Sequence, residues 1–330
     1  MLRFVLRRLL NLLPIALGVT LISFFIISLT PGDFLTTMSL NPEISPDRIA
    51  QLRHDFGLDK PWYIQYGLWL YRLSPVGGPL ALKWPDLGYS FANKTPVFDL
   101  MAERFVNTLV LSVSAEIFIW CFAIPLGILA AVKHNSGIDR LSSFGVFLGI
   151  SFPEILLALL ALLFAARTGW FPIGGMHSLR YEELPQWQQW RDLLHHLVLP
   201  TIVLGTAGAA GLMRYMRGSL LETLSSDFMR TARAKGLSRA RAVSHHAVRN
   251  AINPIITLFG ISFANLISSS FLVEVIMGWP GLGKLTYEAI LSKDLYVVMA
   301  SLIAATFFLI TGNLMADIML AITDPRIRYE

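Results

Sequence analysis

Residues 225–238 read SSDFMRTARAKGLS, a basic stretch that lies between two long apolar blocks. Ser226 or the aspartate after it suits the N-cap of a short helix, because either side chain accepts the free amide protons of a first turn. Gly236 suits the end of that helix, since glycine adopts the left-handed backbone conformation without a steric penalty. Ser238 is placed to cap a second helix that leads into the next apolar block. The sequence therefore predicts two short surface helices with a sharp turn between them.

The composition around this stretch is that of a membrane protein. The chain has 330 residues, of which 54% are hydrophobic and 15% are charged, whereas soluble domains carry about 25% charged residues. The net charge of +5 does not indicate a nucleic-acid partner, because the basic residues flank apolar blocks. The single cysteine, Cys121, lies inside such a block and excludes an internal disulfide. These features predict an all-α membrane protein.

The apolar blocks are long enough to cross a bilayer. A membrane-spanning helix needs about 20 apolar residues, and by that measure the chain has about six spans. They cover Leu9–Leu29, Val106–Val132, Leu141–Ala166, Leu197–Met216, Asn253–Met277 and Leu295–Ile322. The first block is longer than a signal-peptide core and lacks small residues for cleavage, so we expect a retained anchor.

Basic residues predict the orientation of the spans. Lys and Arg are enriched at the N-terminus, after the second span, after the fourth span and at the C-terminus. With six spans all of these segments fall on one side, which the positive-inside rule makes cytoplasmic. The sequence thus predicts a multi-pass membrane protein with both termini in the cytoplasm.

The blocks also predict three regions. Residues 1–30 form an N-terminal anchor helix, and residues 31–104 form a small extracytoplasmic subdomain that is rich in turns and aromatic residues. Residues 105–330 form the transmembrane core, with a cytoplasmic loop at 217–252. The order of these regions places the basic stretch in the core.

Several motifs resemble those of ATP-binding-cassette importer permeases of the dipeptide, oligopeptide and nickel branch. Arg230 to Ser238 resembles the EAA loop of this family, and His246 to Pro254 resembles its continuation. The general motif begins Glu-Ala-Ala, but this chain has Arg230-Thr231-Ala232 as the branch does, so Arg230 inherits no role assigned to the glutamate. The other matching motifs are Leu2-Arg3-Phe4 to Leu9, Thr30-Pro31-Gly32-Asp33, Phe56 to Pro61 with Gln65-Tyr66, Trp279 to Gly283, and Asp324 to Tyr329.

The resemblance implies a type I permease fold and a set of partners. Two homologous permeases pair in the membrane, each above one ATPase subunit, and an extracytoplasmic solute-binding protein delivers the solute. The short helix is then a coupling helix that contacts the ATPase. The resemblance implies that the residues in contact with the ATPase are Asp227, Arg230, Thr231, Ala232, Arg233, Ala234, Lys235, Gly236 and Leu237.

The resemblance leaves the solute open among di- or oligopeptides, nickel and glutathione. Peptides are the commonest substrate of the branch. An ion-coupled carrier or channel is an alternative class, but it does not need the short surface helix. An intramembrane enzyme is a further alternative, and the chain shows no nucleophile arrangement or metal-ligand spacing that favours it.

A glycine-rich motif near the fifth span resembles a nucleotide-binding loop only in part. Gly278 to Lys284 fits the G-x-x-x-x-G-K pattern, but Leu285 stands where the magnesium-binding hydroxyl belongs. We therefore expect Trp279, Pro280 and Gly281 to form a turn that acts as a gate. The chain itself binds no cofactor under this interpretation, and ATP and Mg²⁺ are bound by partner ATPase subunits.

Acidic and small residues inside the apolar blocks are candidates for a solute path. Glu116 and Glu154 either face the solute or make interhelical hydrogen bonds, and a charge in hydrocarbon is costly in both cases. Glu274 precedes an outer turn, where we expect it to reach water. Gly208 and Gly211 either permit close helix packing or line the path.

Overall fold

The computed structural model describes residues 2–39, 45–55, 57–74 and 86–323, which are almost entirely helical. The predicted C-terminal motif from Asp324 onward and residue Phe56 lie outside the described residues, as do residues 40–44 and 75–85 of the segment predicted to be rich in turns. The helices are α1 (Leu2–Leu29), α2 (Phe34–Met38), α3 (Pro46–Asp55), α4 (Trp62–Leu73), α5 (Val97–Val132), α6 (Gly137–Ser151), α7 (Glu154–Thr168), α8 (Gln186–Ser225), α9 (Asp227–Ala234), α10 (Arg239–Ala242), α11 (Val248–Ala251), α12 (Asn253–Met277), α13 (Leu282–Leu291) and α14 (Leu295–Thr323).

Three short elements complete the described chain. Strands β1 (Tyr89–Ser90) and β2 (Thr95–Pro96) pair in antiparallel register, with Tyr89 opposite Pro96. A 3₁₀ turn covers Tyr181–Glu183, and a π-helical turn covers Val243–Ala247 between α10 and α11. Turns of this π-helical kind are rare and frequently occur at functional sites.

Length and composition mark four stretches that can each cross a membrane alone. They are Pro14–Thr36, Val97–Val132, Gln186–Ser225 and Leu295–Met315. Two bent helix pairs also qualify, Gly137–Ser151 with Glu154–Thr168 and Asn253–Phe263 with Asn265–Ile276, so the total is up to six if each pair is one span. The prediction of six apolar blocks and an all-α fold is confirmed at this level.

The apolar block predicted over Leu141–Ala166 is formed by two helices, α6 and α7. The chain turns by 101° between α6 and α7. Phe152 has the extended backbone conformation, with ψ at 124°, because the ring of Pro153 disfavours helical geometry in the residue before it. Pro153 then starts α7, whose first amide groups need no partner within the helix.

The chain forms two compact units. The first comprises Leu109–Trp279 and Phe308–Glu330, of which residues 324–330 lie outside the described part. The second comprises Leu2–Thr108 and Pro280–Phe307. The basic stretch that resembles a coupling loop belongs to the first unit.

In the first unit, α8 packs against α5, α6, α7 and α12. The hydrophobic core of this unit includes Leu111, Ile119, Val203 and Leu204, all of which are buried. A second cluster lies at the other end of α8 and contains Met216 and Leu220. This second cluster positions the candidate functional site.

Candidate functional site

The predicted short helix and its terminal turn are both present. Helix α9 starts after Ser226, as expected, but the Ser226 hydroxyl donates to the Thr223 carbonyl rather than capping α9. Gly236 has φ +84°, the left-handed conformation that the sequence predicts, and its N–H donates to the Arg233 carbonyl at 2.9 Å. Among the described residues, nothing lies within 4 Å of the position where a Cβ would stand on Gly236, so the conformation explains the glycine.

The second helix also begins where the sequence predicts. The Ser238 hydroxyl accepts a hydrogen bond from the Arg241 N–H at 3.5 Å, which caps α10. The π turn follows, with Val243 and Ala247 buried and with His245 and His246 exposed. Both histidines therefore lie at the surface of the described chain. In the described residues, no group of three His, Cys, Asp or Glu side chains is arranged to hold a metal.

One side chain anchors α9 to the rest of the unit. Met229 is 1% exposed and packs in a cluster formed by α5, α8, α10, the π turn, α11 and α12. The buried members of this cluster are Ala131, Met216, Leu220, Met229, Ala242, Ala247, Ala251 and Ile255. The sequence does not single out Met229, because nothing in a single short helix shows which face packs.

The opposite face of α9 is open and mostly basic. Phe228 is 43% exposed, and the other exposed residues are Asp227, Arg230, Thr231, Arg233, Ala234, Lys235 and Gly236. Ala232 and Leu237 are half-buried. Arg230 and Asp227 form an ion pair at 3.5 Å with highly exposed side chains, which adds little stability. The face is thus free to meet a partner that presents apolar and acidic groups.

Buried contacts connect the α9 region to the long helices. The Ser219 hydroxyl of α8 donates to the Ala251 carbonyl of α11 at 3.0 Å. Because α11 is followed at once by α12, a displacement of α9 has a continuous packed route through Met229 to α8 and α12. The arrangement can therefore transmit a mechanical displacement.

A second connection is a charged cluster that the sequence did not reveal. The buried carboxylate of Asp139 in α6 accepts two hydrogen bonds from Arg217 of α8, at 2.6 and 3.0 Å. It also accepts from the Asn135 N–H at 2.9 Å and contacts His134. Charge-assisted, bidentate pairs of this kind hold two elements in a fixed orientation.

The same contacts bring two of the predicted basic segments to one end of the unit. Arg217 and Arg239, from the segment after the fourth span, contact Asp139 and the Val132 carbonyl, from the segment after the second span. Charge patterning alone places these segments on the same side of a membrane. The side itself stays a prediction.

Glu116 makes one hydrogen bond between helices and one within its own helix. It is buried in α5 and accepts from the Ser262 hydroxyl of α12 at 3.0 Å and from Trp120 Nε1 of α5 at 2.7 Å. The Ser262 contact agrees with the interhelical alternative, and a role in the solute path stays a prediction.

Glu154 and Glu274 differ in their burial and in their hydrogen bonds. Glu154 is the half-buried first residue of α7, and its Oε1 has no hydrogen-bond partner in the part of the chain that the structure describes. Glu274 has no exposed surface and accepts from the Ser270 hydroxyl at 3.1 Å. The prediction that Glu274 reaches water is wrong, because the end of α12 is packed inside the first unit.

Small residues of α8 serve helix packing at specific positions. A Cβ on Gly208 would stand 2.6 Å from Ile119 Cδ1, whereas no atom of the described residues lies within 4 Å of a Cβ on Gly211. Gly127 of α5 lies directly against the α8 backbone, since a Cβ there would stand 2.9 Å from the Met213 carbonyl oxygen and 2.8 Å from Met216 Cβ. The close-packing alternative therefore fits Gly208, and Gly127 is a packing residue that the sequence did not single out.

Gly127→Ala is expected to destabilise the chain by about 1–3 kcal/mol, because the backbone of α8 must shift to admit the methyl group. Gly211→Ala is the matched control and is expected to be neutral or slightly stabilising, since the site is open and alanine favours helices. Thermal unfolding of the purified chain in detergent measures both. Equal midpoints for the two variants would contradict the packing argument.

The glycine-rich motif after the fifth span is a turn between two helices. It follows helix α12 rather than a strand, and Gly278 has φ +69°. Trp279 is buried in the core of the first unit. In the second unit, the Pro280 carbonyl accepts from Asn107 at 2.9 Å, and Gly281 caps α13. The turn is confirmed, whereas its action as a gate stays a prediction.

The chain matches a known protein family. The family described as binding-protein-dependent transport system inner membrane component matches residues 123–329. Its N-terminal region, described separately, matches residues 1–112. The chain belongs to this family. The carrier, channel and intramembrane-enzyme alternatives are not favoured, and the chain is a permease component of an ATP-binding-cassette importer.

Curated relatives of this permease align over its whole length. The oligopeptide transport system permease protein AppB of Bacillus subtilis is 40% identical over 99% of both chains. The glutathione transport system permease protein GsiC of Escherichia coli K12 is 36% identical over 100% of both chains. The permease thus has full-length relatives with two different named solutes.

A solved structure supports the fold of the permease. One chain of the MetNI methionine ABC transporter, in inward-facing conformations, has a TM-score of 0.52 to this chain at 17% identity. The match covers 67% of this chain and 97% of that chain. At this identity the likeness shows the fold alone, which is the predicted type I permease fold.

Proposed function

We propose that this permease carries di- or oligopeptides across the inner membrane by alternating access. The names of its relatives support peptides, because the 40% identical protein is an oligopeptide permease and the 36% identical protein is a glutathione permease. Glutathione is itself a tripeptide, so both names share peptide chemistry. Glutathione is the second candidate solute.

The observation that carries the mechanism is the docking of α9. Its basic face is exposed, while Met229 on the other face is buried against α8 and α12. An ATPase subunit that grips the exposed face moves the buried face with it. Since packed cores shift between discrete arrangements rather than deform smoothly, the displacement reaches the spans as a change between two packed states.

The proposal includes partners that supply energy and solute. They are a second homologous permease, two ATPase subunits that bind ATP and Mg²⁺, and an extracytoplasmic solute-binding protein. Membrane lipid surrounds the spans, and no nucleic acid takes part. The basic end of the first unit faces the cytoplasm, as do both termini.

Reconstitution of the complete transporter in proteoliposomes tests the proposal. We expect uptake of a labelled tripeptide that requires ATP, the ATPase subunits and the cognate binding protein, and we expect unlabelled oligopeptides to compete more strongly than glutathione. The purified permease alone is the control and should hydrolyse no ATP, because its glycine-rich motif lacks the magnesium-binding hydroxyl. Uptake without ATPase subunits, or competition by glutathione alone, would contradict the proposal.

A further inference from the structure

The second unit contains a cavity of about 580 Å³ beside the C-terminal end of α1. Its walls come from α1 and the turn after it, from α3 and α4, from the β1–β2 hairpin, and from α13 and the start of α14. The volume lies in the range of ligand sites, roughly 300–1,000 Å³. Neither the coupling site nor the candidate solute path uses this cavity.

Aromatic pairs form part of the cavity wall. Phe25 of α1 meets Trp62 of α4 edge-to-face, with ring centroids 5.2 Å apart. Phe34 and Phe91 stack at 5.6 Å. Tryptophan is enriched where hydrocarbon meets lipid headgroups, so Trp62 suits a membrane boundary, and the three phenylalanines make the rest of this wall apolar.

The cavity also carries an excess of positive charge. Its lining includes three cationic side chains, Arg53, Lys60 and Lys293, and one carboxylate, Asp33, which leaves an excess of two positive charges. Asp33 is already paired with Arg53 at 3.0 Å. Within residues 2–39, 45–55, 57–74 and 86–323, Lys60 and Lys293 have no ion-pair partner. The Lys293 ammonium donates to the Pro31 carbonyl, which holds it at the cavity.

The outer surface of α1 leads from hydrocarbon to this cavity. Ile22, Ile26 and Leu29 are exposed and apolar, and the stretch Pro14–Thr36 can cross a membrane. A ligand that reaches the cavity along α1 is therefore a lipid, and the two unpaired lysines select a negative headgroup. Basic side chains near a membrane surface attract anionic lipids in this way.

We propose that this cavity binds one anionic phospholipid, with its phosphate facing Lys60 and Lys293 and its upper acyl region against the aromatic wall. The bound lipid fills the space between α1, α4 and the end of α13, and so stabilises the second unit. This inference does not depend on the identity of the transported solute.

Native mass spectrometry of the complete transporter, purified in detergent with equimolar phosphatidylglycerol and phosphatidylcholine, tests the proposal. We expect one retained phosphatidylglycerol per permease chain, and about a tenfold lower retention in the double variant Lys60→Gln/Lys293→Asn, because each lysine contributes to headgroup binding. Asparagine is chosen because Lys293 has φ +56°, which asparagine tolerates. The single variant Lys60→Gln, at an exposed position, is expected to lower retention of phosphatidylglycerol about threefold. This single variant tests the proposal if the double variant does not assemble.

The chain offers a matched control. Lys94 has φ +55° in the β1–β2 turn and does not line the cavity, so Lys94→Asn is expected to retain phosphatidylglycerol as the unchanged protein does. A competition arm adds glycerol 1-phosphate, which we expect not to displace the lipid. Equal retention of the two lipids, unchanged retention in both lysine variants, or displacement by glycerol 1-phosphate would each overturn the proposal.

Discussion

Replacing Gly236 with proline is expected to lower ATP-driven uptake by roughly a hundredfold. Gly236 has φ +84° and donates its N–H to the Arg233 carbonyl, whereas proline fixes φ near −65° and has no N–H. The misplaced proline costs about 3 kcal/mol, and each factor of ten corresponds to about 1.4 kcal/mol. Uptake falls by the full hundredfold if the whole of this cost of about 3 kcal/mol disfavours the native position of α9. Uptake in proteoliposomes measures the effect, and membrane insertion should be unchanged.

Two further substitutions at Gly236 separate backbone conformation from charge. Asparagine adopts left-handed geometry, keeps the N–H and meets no atom within 4 Å at its Cβ, so Gly236→Asn is expected to retain most uptake. Gly236→Asp has a similar shape but adds a carboxylate to the basic face of α9, so we expect it to abolish uptake. If uptake and capture of the ATPase subunits both survived the proline and aspartate changes, the assignment of α9 as the coupling helix would be wrong.

Met229→Ala is expected to lower uptake by at least about tenfold. Truncating a buried methionine costs about 2–5 kcal/mol, and Met229 is the buried residue of α9. Loss of this anchor releases α9 from α8 and α12, so gripping its exposed face no longer moves the spans. Met229→Leu conserves volume and is expected to retain most uptake.

Hydrogen exchange distinguishes the anchor from the exposed face. Met229→Ala should speed amide exchange in α9, because the helix is no longer docked. Phe228→Ala is the matched control, since Phe228 is exposed on the same helix; it should lower ATPase capture and leave exchange as in the unchanged protein. Unchanged exchange and uptake in Met229→Ala would show that Met229 does not anchor α9.

Local chemistry made α9 and the turn after it predictable from the sequence. The end of α9 at Gly236 and the cap at Ser238 depend on backbone conformation and on side chains within a few residues. The apolar blocks were predictable for a similar reason, because the width of a bilayer sets the length of an apolar helix. Neither prediction needed a contact between distant residues.

Side-chain partners between helices were not predictable in this way. The Asp139–Arg217 pair joins residues 78 positions apart, and the Ser262–Glu116 hydrogen bond joins residues 146 positions apart. The burial of Glu274 was mispredicted because its place in the sequence, next to a turn, does not show what packs around it. The bend at Pro153 had a local cause, but an apolar block that contains a proline predicts either a kink or a break.

By itself, the sequence determined the all-α membrane fold, the order of the spans and the glycine-hinged short helix, because these follow from apolar length and local backbone preference. Only the tertiary structure decided that Met229 is the anchored face of that helix, that Gly127 of α5 packs against the α8 backbone, and that Glu274 is buried. Those outcomes depend on which surfaces of separate helices pack together, and a helix presents several faces that its own sequence leaves equivalent.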